Sequence, residues 1–161
     1  AQGAKSLGTN TSGGQVYKNI FSGVTDGTGE WQLDDIEYDV YNVAVTDPSY
    51  DVVEVCPSDQ VVVEPDTNRT VAFTIATISC PLLRVSVVDV GGNPVPDATV
   101  RVEQPGYDQT QTTGLCGQTS FSGGGLGTSP ATVTVTKAGY SSVVQNNVTV
   151  SATSTVSILV N

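Results

Sequence analysis

The chain has 161 residues, enough for one domain or two small ones, with 14 % charged residues, 17 Gly, 8 Pro and neither His nor Met. Its net charge of −10 is uneven: residues 1–79 carry 12 acids and 3 bases, residues 80–161 only 4 acids and 3 bases. No basic stripe exists to displace counterions from phosphates, which excludes a nucleic-acid partner, and the lack of His excludes Ser-His-Asp and Cys-His nucleophiles and His-ligated metals.

No window sustains apolar residues at i, i+3, i+4 and i+7, so almost no helix is expected. No apolar run approaches the roughly 18 residues of a membrane span, and no signal peptide is present. The chain is expected either to be a trimmed, mature product or to have its export signal outside these residues. The acidity reads as solubility and resistance to self-association, with a cation site as the sharper alternative.

In chain order, Ala4–Thr9 and Gln15–Val24 are strand candidates around the turn cluster Asn10-Thr11-Ser12-Gly13-Gly14. Asp26-Gly27 and Gly29 make a tight turn, after which Trp31 and Leu33 start a strand. Asp34, Asp35, Glu37 and Asp39 form an acidic loop, and Tyr41, Val43 and Val45 alternate. A long strand from Val52 to Val63 is interrupted at Cys56-Pro57, because Pro57 has no N–H for the ladder. Asp66-Thr67-Asn68 turns the chain into a strand through Val71, Phe73 and Ile75, and Thr77 to Pro81 reads as a short linker.

The stretch Leu82–Val102 then reads as two antiparallel strands around Gly91-Gly92-Asn93-Pro94, the opening of a β-sandwich. Pro105-Gly106 turns into Tyr107–Thr113, and the closing strands are Val148–Val150 and Val156–Val160. Thr113, Gly117 and Phe121 stand 88 residues after Thr25, Gly29 and Leu33, and Tyr140 stands 90 after Tyr50. A steady offset with a shared turn–strand–strand order predicts two copies of one module. The first copy offers two strands before its turn and the second offers three. The first is therefore expected to lack its opening strand, through trimming or because another subunit fills the gap.

GNPVPDATVRV, TTGLCGQTSF and VTVTKAGY resemble the carboxypeptidase regulatory-like modules, which have a transthyretin-like seven-stranded β-sandwich. Gly114 stands where the family pattern has Asp, whereas Thr25, Asp26, Gly29 and Leu33 of the first half follow it closely. The first half departs at Asp47-Pro48-Ser49-Tyr50, which lacks the Gly before Tyr. The stretch from Ala4 through the acidic loop also resembles repeats in bacterial prepilin-type and other cell-surface proteins. The resemblance implies an all-β fold of two tandem Ig-like or transthyretin-like β-sandwich domains. They would span residues 1–78, lacking the first strand, and residues 81–161, complete. The motifs are turns and core positions, so they specify fold rather than function.

Asp34, Asp35, Glu37 and Asp39 are the weak metal candidates, being hard oxygen ligands without the spacing of a dedicated calcium loop; the alternative is a solvated acidic loop. In the module's topology Cys56 and Cys80 reach the same end of the sandwich, which predicts a Cys56–Cys80 disulfide and leaves Cys116 free or paired between molecules; the alternative is three reduced thiols in a cytosolic protein. Asn10, Asn68 and Asn147 each begin an N-x-S/T sequon and are glycosylation candidates. Lys5, Lys18 and Lys137 invite a Lys–Asn isopeptide crosslink, which needs an acid beside them in the core; surface solubility is the simpler reading. Trp31, Tyr38, Tyr41 and Tyr50 offer either a sugar-stacking platform or core packing. No catalytic residue and no cofactor are assigned.

The expected function is that of a non-enzymatic extracellular structural protein, a self-associating subunit of a surface filament or pilus assembled by strand addition. Thr155–Val160 is one candidate partner surface. The competing reading is an accessory carbohydrate- or protein-binding module of a larger surface protein.

Overall fold

The computed structural model describes residues 1–57, 59–78 and 81–161. Its described residues are all-β, forming fourteen strands and no helix. Two compact units emerge, one of Ala1–Thr46 with Pro57–Ala72 and one of Asp47–Cys56 with Phe73–Asn161. Residues 47–56 and 73–78, which precede the expected boundary at 79–80, thus group with the C-terminal residues.

In the C-terminal unit, β8 (Leu82–Asp89), β11 (Gln118–Ser122) and β14 (Thr153–Val160) form one sheet, ordered β11-β8-β14. β9 (Thr99–Gln104), β10 (Tyr107–Thr112), β12 (Ala131–Thr136) and β13 (Val143–Val148) form the other, ordered β10-β9-β12-β13. Alternation places every second side chain inside: Leu83, Val85 and Val87 from β8, Val100 and Val102 from β9, Val133 and Val135 from β12, Phe121 and Ile158 all share one buried core. Each such side chain contributes about 1.5–3 kcal/mol by leaving water. β14 runs parallel to β8 over its whole length, from Thr153 opposite Leu82 to Val160 opposite Asp89. β13 carries one extra residue against β12 between Val148 and Gln145, where Asn147 takes φ 58°; a bulge absorbs it.

β8 and β9 are not the ladder-paired hairpin that their alternation predicted. They fall in opposite sheets, and the isolated bridge from Val88 to Pro94 lies in the connection before β9. Their apolar residues meet face to face across the core, and periodicity alone cannot separate facing from pairing. A further pair, β5 (Tyr50–Cys56) with β7 (Ala72–Thr77), makes a small sheet of its own. The expected interruption at Cys56-Pro57 is present, since β5 ends at Cys56 and β6 (Gln60–Val63) begins afterwards.

The N-terminal unit holds a three-stranded sheet ordered β1-β4-β6, with β1 Gln2–Gly3 and β4 Asp39–Asn42, and a ribbon of β2 (Ser6–Thr9) with β3 (Gln15–Tyr17). The strand expected at Trp31 and Leu33 is absent: no strand is assigned between Phe21 and Tyr38. Among the described residues of this unit, Tyr41 alone is a buried large side chain, with its ring 6.1 Å from that of Phe21. Leu7, Ile20 and Val24 are 69 %, 65 % and 89 % exposed.

Four five-residue turns share one geometry. In Asn10–Gly14, Asp26–Glu30, Asp89–Asn93 and Gly114–Gln118, the first N–H donates to the fifth carbonyl and the fourth N–H to the first carbonyl, at 2.8–3.1 Å. The fourth residue is always glycine at positive φ: Gly13, Gly29, Gly92 and Gly117 at 81°, 85°, 78° and 68°. In the first three, the Asn or Asp side chain accepts the N–H groups of the third and fifth residues, an Asx-type closure. In the fourth, Gly114 has no side chain to do so.

Candidate functional site

The missing acceptor at Gly114 comes from elsewhere in the chain. The Glu54 carboxylate on β5 accepts the Cys116 N–H at 3.2 Å, the position that the Asp26 side chain serves for Thr28. A Cβ on Gly114 would lie 2.6 Å from Glu54 Oε1, so Glu54 occupies the space that a side chain at 114 would need. Beside it, the Gln118 side-chain amide accepts the Val55 N–H at 3.2 Å and donates to the Val55 carbonyl at 3.1 Å. That amide does for β5 what a neighbouring strand's backbone would do. The third attachment is covalent: Cys56 is disulfide-bonded to Cys116, with their Cα atoms 5.5 Å apart. Three consecutive residues of β5, Glu54, Val55 and Cys56, thus fasten to the turn that leads into β11.

This overturns two expectations. Cys56 pairs with Cys116, not with Cys80, and Cys116 is not a free thiol but a buried disulfide partner. The expected pairing took β5 to belong wholly with the N-terminal residues; β5 instead lies along β11, which carries Cys56 to the Gly114 turn. Cys80 lies outside the described residues.

The same turn is wedged into the sandwich on its other side. Thr113 is buried; its hydroxyl donates to the Val95 carbonyl at 2.8 Å and accepts the Ala98 N–H at 2.9 Å. The Gly117 carbonyl accepts the Val87 N–H, and a Cβ at Gly117 would meet Val87 O at 2.5 Å and Val95 N at 2.8 Å. The turn therefore joins the first core strand β8 to β5, with the glycine required by both its φ and its surroundings.

The acidic loop is an ion-pair network. Glu37 accepts Lys18 Nζ at 2.7 Å, Lys5 Nζ at 3.1 Å and Asn19 Nδ2 at 3.3 Å. The hydrogen bond from Lys18, followed by those from Lys5 and Asn19, holds its carboxyl down at about 2. Asp39 accepts the Lys5 and Val40 N–H groups, and Asp34 accepts the Gln32 amide. Asp35 sits at φ 52°. Among the described residues no group of three or more His, Cys, Asp or Glu is gathered to hold a metal ion. A lysine, an asparagine and an acid do meet, as an isopeptide bond requires. Glu37 is only half-buried and ionised, however, whereas that reaction needs a neutral amine and a protonated acid in an apolar core. Lys137 donates to the Asp97 carbonyl at a strand end.

Of the aromatic group, Tyr41 is buried with its hydroxyl donating to the Glu37 carbonyl, Trp31 is half-buried, and Tyr38 and Tyr50 are exposed. Lys5 Nζ lies 3.7 Å from the centre of the Tyr38 ring, a cation–π contact. Asn10, Asn68 and Asn147 are all exposed. Thr155–Val160 lies within β14, where Ile158 and Val160 fill the core and Leu159 faces out. No helix among the described residues is long and apolar enough to cross a membrane. The disulfide junction was illegible in the sequence, because a carboxylate at 54 serving the turn at 114–118 is a relation between segments 60 residues apart.

No protein-family model matches the chain, and no curated protein does. Among solved structures, the chain is similar to the Bacillus anthracis TIE protein at 17 % identity, with a TM-score of 0.40 over 63 % of this chain. It spans 20 % of the length of that chain.

Proposed function

We propose that the chain is a non-enzymatic extracellular structural protein, a subunit of a surface filament or pilus built from carboxypeptidase regulatory-like sandwich modules by strand addition. One observation carries this reading. The C-terminal unit closes its own core, whereas among its described residues the N-terminal unit buries a single large side chain and leaves Leu7, Val16, Ile20, Val24 and Val62 exposed. A unit of that size with so little burial does not offset its chain entropy alone, and an added strand supplies the missing apolar cover. The disulfide supports an oxidising, extracellular setting. The lack of His removes the common nucleophile–base systems and supports the non-enzymatic reading.

Negative-stain electron microscopy of the protein, as isolated and after reductant, tests this directly. Ordered fibres are expected, and their loss on reduction would tie assembly to the Cys56–Cys116 joint. Isolated particles in both conditions would end the filament reading and favour an accessory binding module.

A further inference from the structure

β5 is joined to the turn before β11 by side chains rather than by a backbone ladder. Its ladder partner is β7, and that of β11 is β8. Two hydrogen bonds link the Gln118 amide to the Val55 backbone, one runs from the Cys116 N–H to Glu54, and the Cys56–Cys116 bond completes the junction. Val55 is buried there. The sandwich core, by contrast, is drawn from residues 83–160, and no described residue of β5 or β7 belongs to it. β7 is exposed along most of its length, and a two-stranded sheet is marginal by itself. Three hydrogen bonds, each worth little net of water, and one buried valine are a small noncovalent hold. The covalent bond supplies the rest. Cys56 is only half-buried, so a small thiol reaches its sulfur, and a disulfide open to thiols is a labile one.

We propose that the Cys56–Cys116 bond is a redox-operated latch on β5. Oxidised, it keeps β5, with β7 paired to it, on the Gly114–Gln118 turn; reduced, it lets β5 leave that turn while the core of β8, β9, β12 and β14 stays closed. The two-state element is β5, docked or undocked, and the bond is what biases it. A dithiol reductant opens the latch. One of its thiolates attacks the Cys56 sulfur to form a mixed disulfide, and Cys116 leaves as a thiolate that takes up a proton. The reductant's second thiol then attacks its own sulfur in the mixed disulfide, closes a cyclic disulfide and releases Cys56 as a thiol. Two electrons and two protons thereby pass from the dithiol to the cystine. The latch acts within one chain and holds with or without fibres.

Amide hydrogen exchange on the full-length chain carrying Cys80→Ser, so that one pair reacts, tests the latch. The amides to follow are those of Val55 and Cys116, which donate across the junction, against those of β8, β9 and β12 around the core. Dithiothreitol is expected to speed exchange at Val55 and Cys116 by about a hundredfold and to leave the core amides unchanged. Replacing it with oxidised glutathione is expected to restore the slow rates. Unchanged rates at Val55 and Cys116, with two free thiols counted per chain, would mean that the noncovalent contacts hold β5, and would overturn the latch. Faster exchange throughout the core would overturn it as well, because the bond would then be a staple of the whole unit. Adding Cys56→Ser and Cys116→Ser to the same chain repeats the comparison without reductant. A protected core with a fast Val55 amide is expected; a slow Val55 amide or an unprotected core counts against the latch.

Discussion

The turns Asp26–Glu30 and Gly114–Gln118 have the same backbone hydrogen bonds and the same positive-φ glycine, 88 residues apart, but opposite surroundings. At the second, Thr113 is buried in hydrogen bonds to β9's entry and Gly117 touches the backbone of β8. At the first, Thr25 is exposed and a Cβ on Gly29 would meet nothing within 4 Å. The second turn closes itself on Glu54 of another segment, the first on its own Asp26. Local sequence thus suffices to form the turn, and a neighbouring strand is what converts it into part of a core.

Four measurements test that difference. The largest effect is expected at the glycines. Gly117→Ala combines a forced φ of 68° with a clash against backbone that cannot move cheaply, and should cost about 3 kcal/mol. Gly29→Ala meets open space and should cost about 1 kcal/mol from φ alone. Denaturant unfolding followed by circular dichroism and by Trp31, the single tryptophan, separates the two; equal costs would show that the surroundings do not matter.

Next comes the threonine. Thr113→Val leaves a buried Ala98 N–H and Val95 carbonyl without their partner and should destabilise by about 2 kcal/mol. Thr25→Val, at an exposed position, should stay within about 0.5 kcal/mol.

A smaller effect is expected from moving the turn's acceptor. Gly114→Asp alone sets a second carboxylate against Glu54 and should destabilise. Combined with Glu54→Ala, it makes the second turn resemble the first and should recover about 1 kcal/mol, read as the coupling in a double-mutant cycle. Additive losses would mean that Glu54 does not stand in for the missing Asp.

The smallest is electrostatic and confined to the N-terminal unit. Glu37 has a folded pKa of about 2 against an ordinary value of 4.5. A depressed carboxylate stabilises above its unfolded pKa, and that contribution is lost as pH falls through the folded one. Acid titration should therefore weaken this unit between about pH 4.5 and 2. Glu37→Gln should flatten the profile in that window, modestly, because the groups are partly exposed and salt-screened.

Much of the strand pattern was legible. The alternation at Leu83, Val85 and Val87, at Val133 and Val135, and at Ile158 and Val160 does mark buried faces. The break at Pro57 and the turns at Asn10, Asp26 and Gly114 stand where Gly, Asn, Asp and Pro placed them. Trp31 and Leu33 misled, because an alternating apolar pair becomes a strand only when another strand lies beside it, and none does there. The cysteine pairing failed for a related reason: it assumed that β5 stayed with its own repeat.

The fold class, the periodic faces and the repeated turn follow from local residue order, because φ preferences and period-2 patterning are properties of a few neighbouring residues. That β8 and β9 face rather than pair, that Glu54 completes the turn at Gly114, and that Cys56 reaches Cys116 are matters of long-range packing. Those choices depend on which distant segment fills an open edge, and the hydrogen-bonding groups of a strand edge are alike for every partner that can reach them.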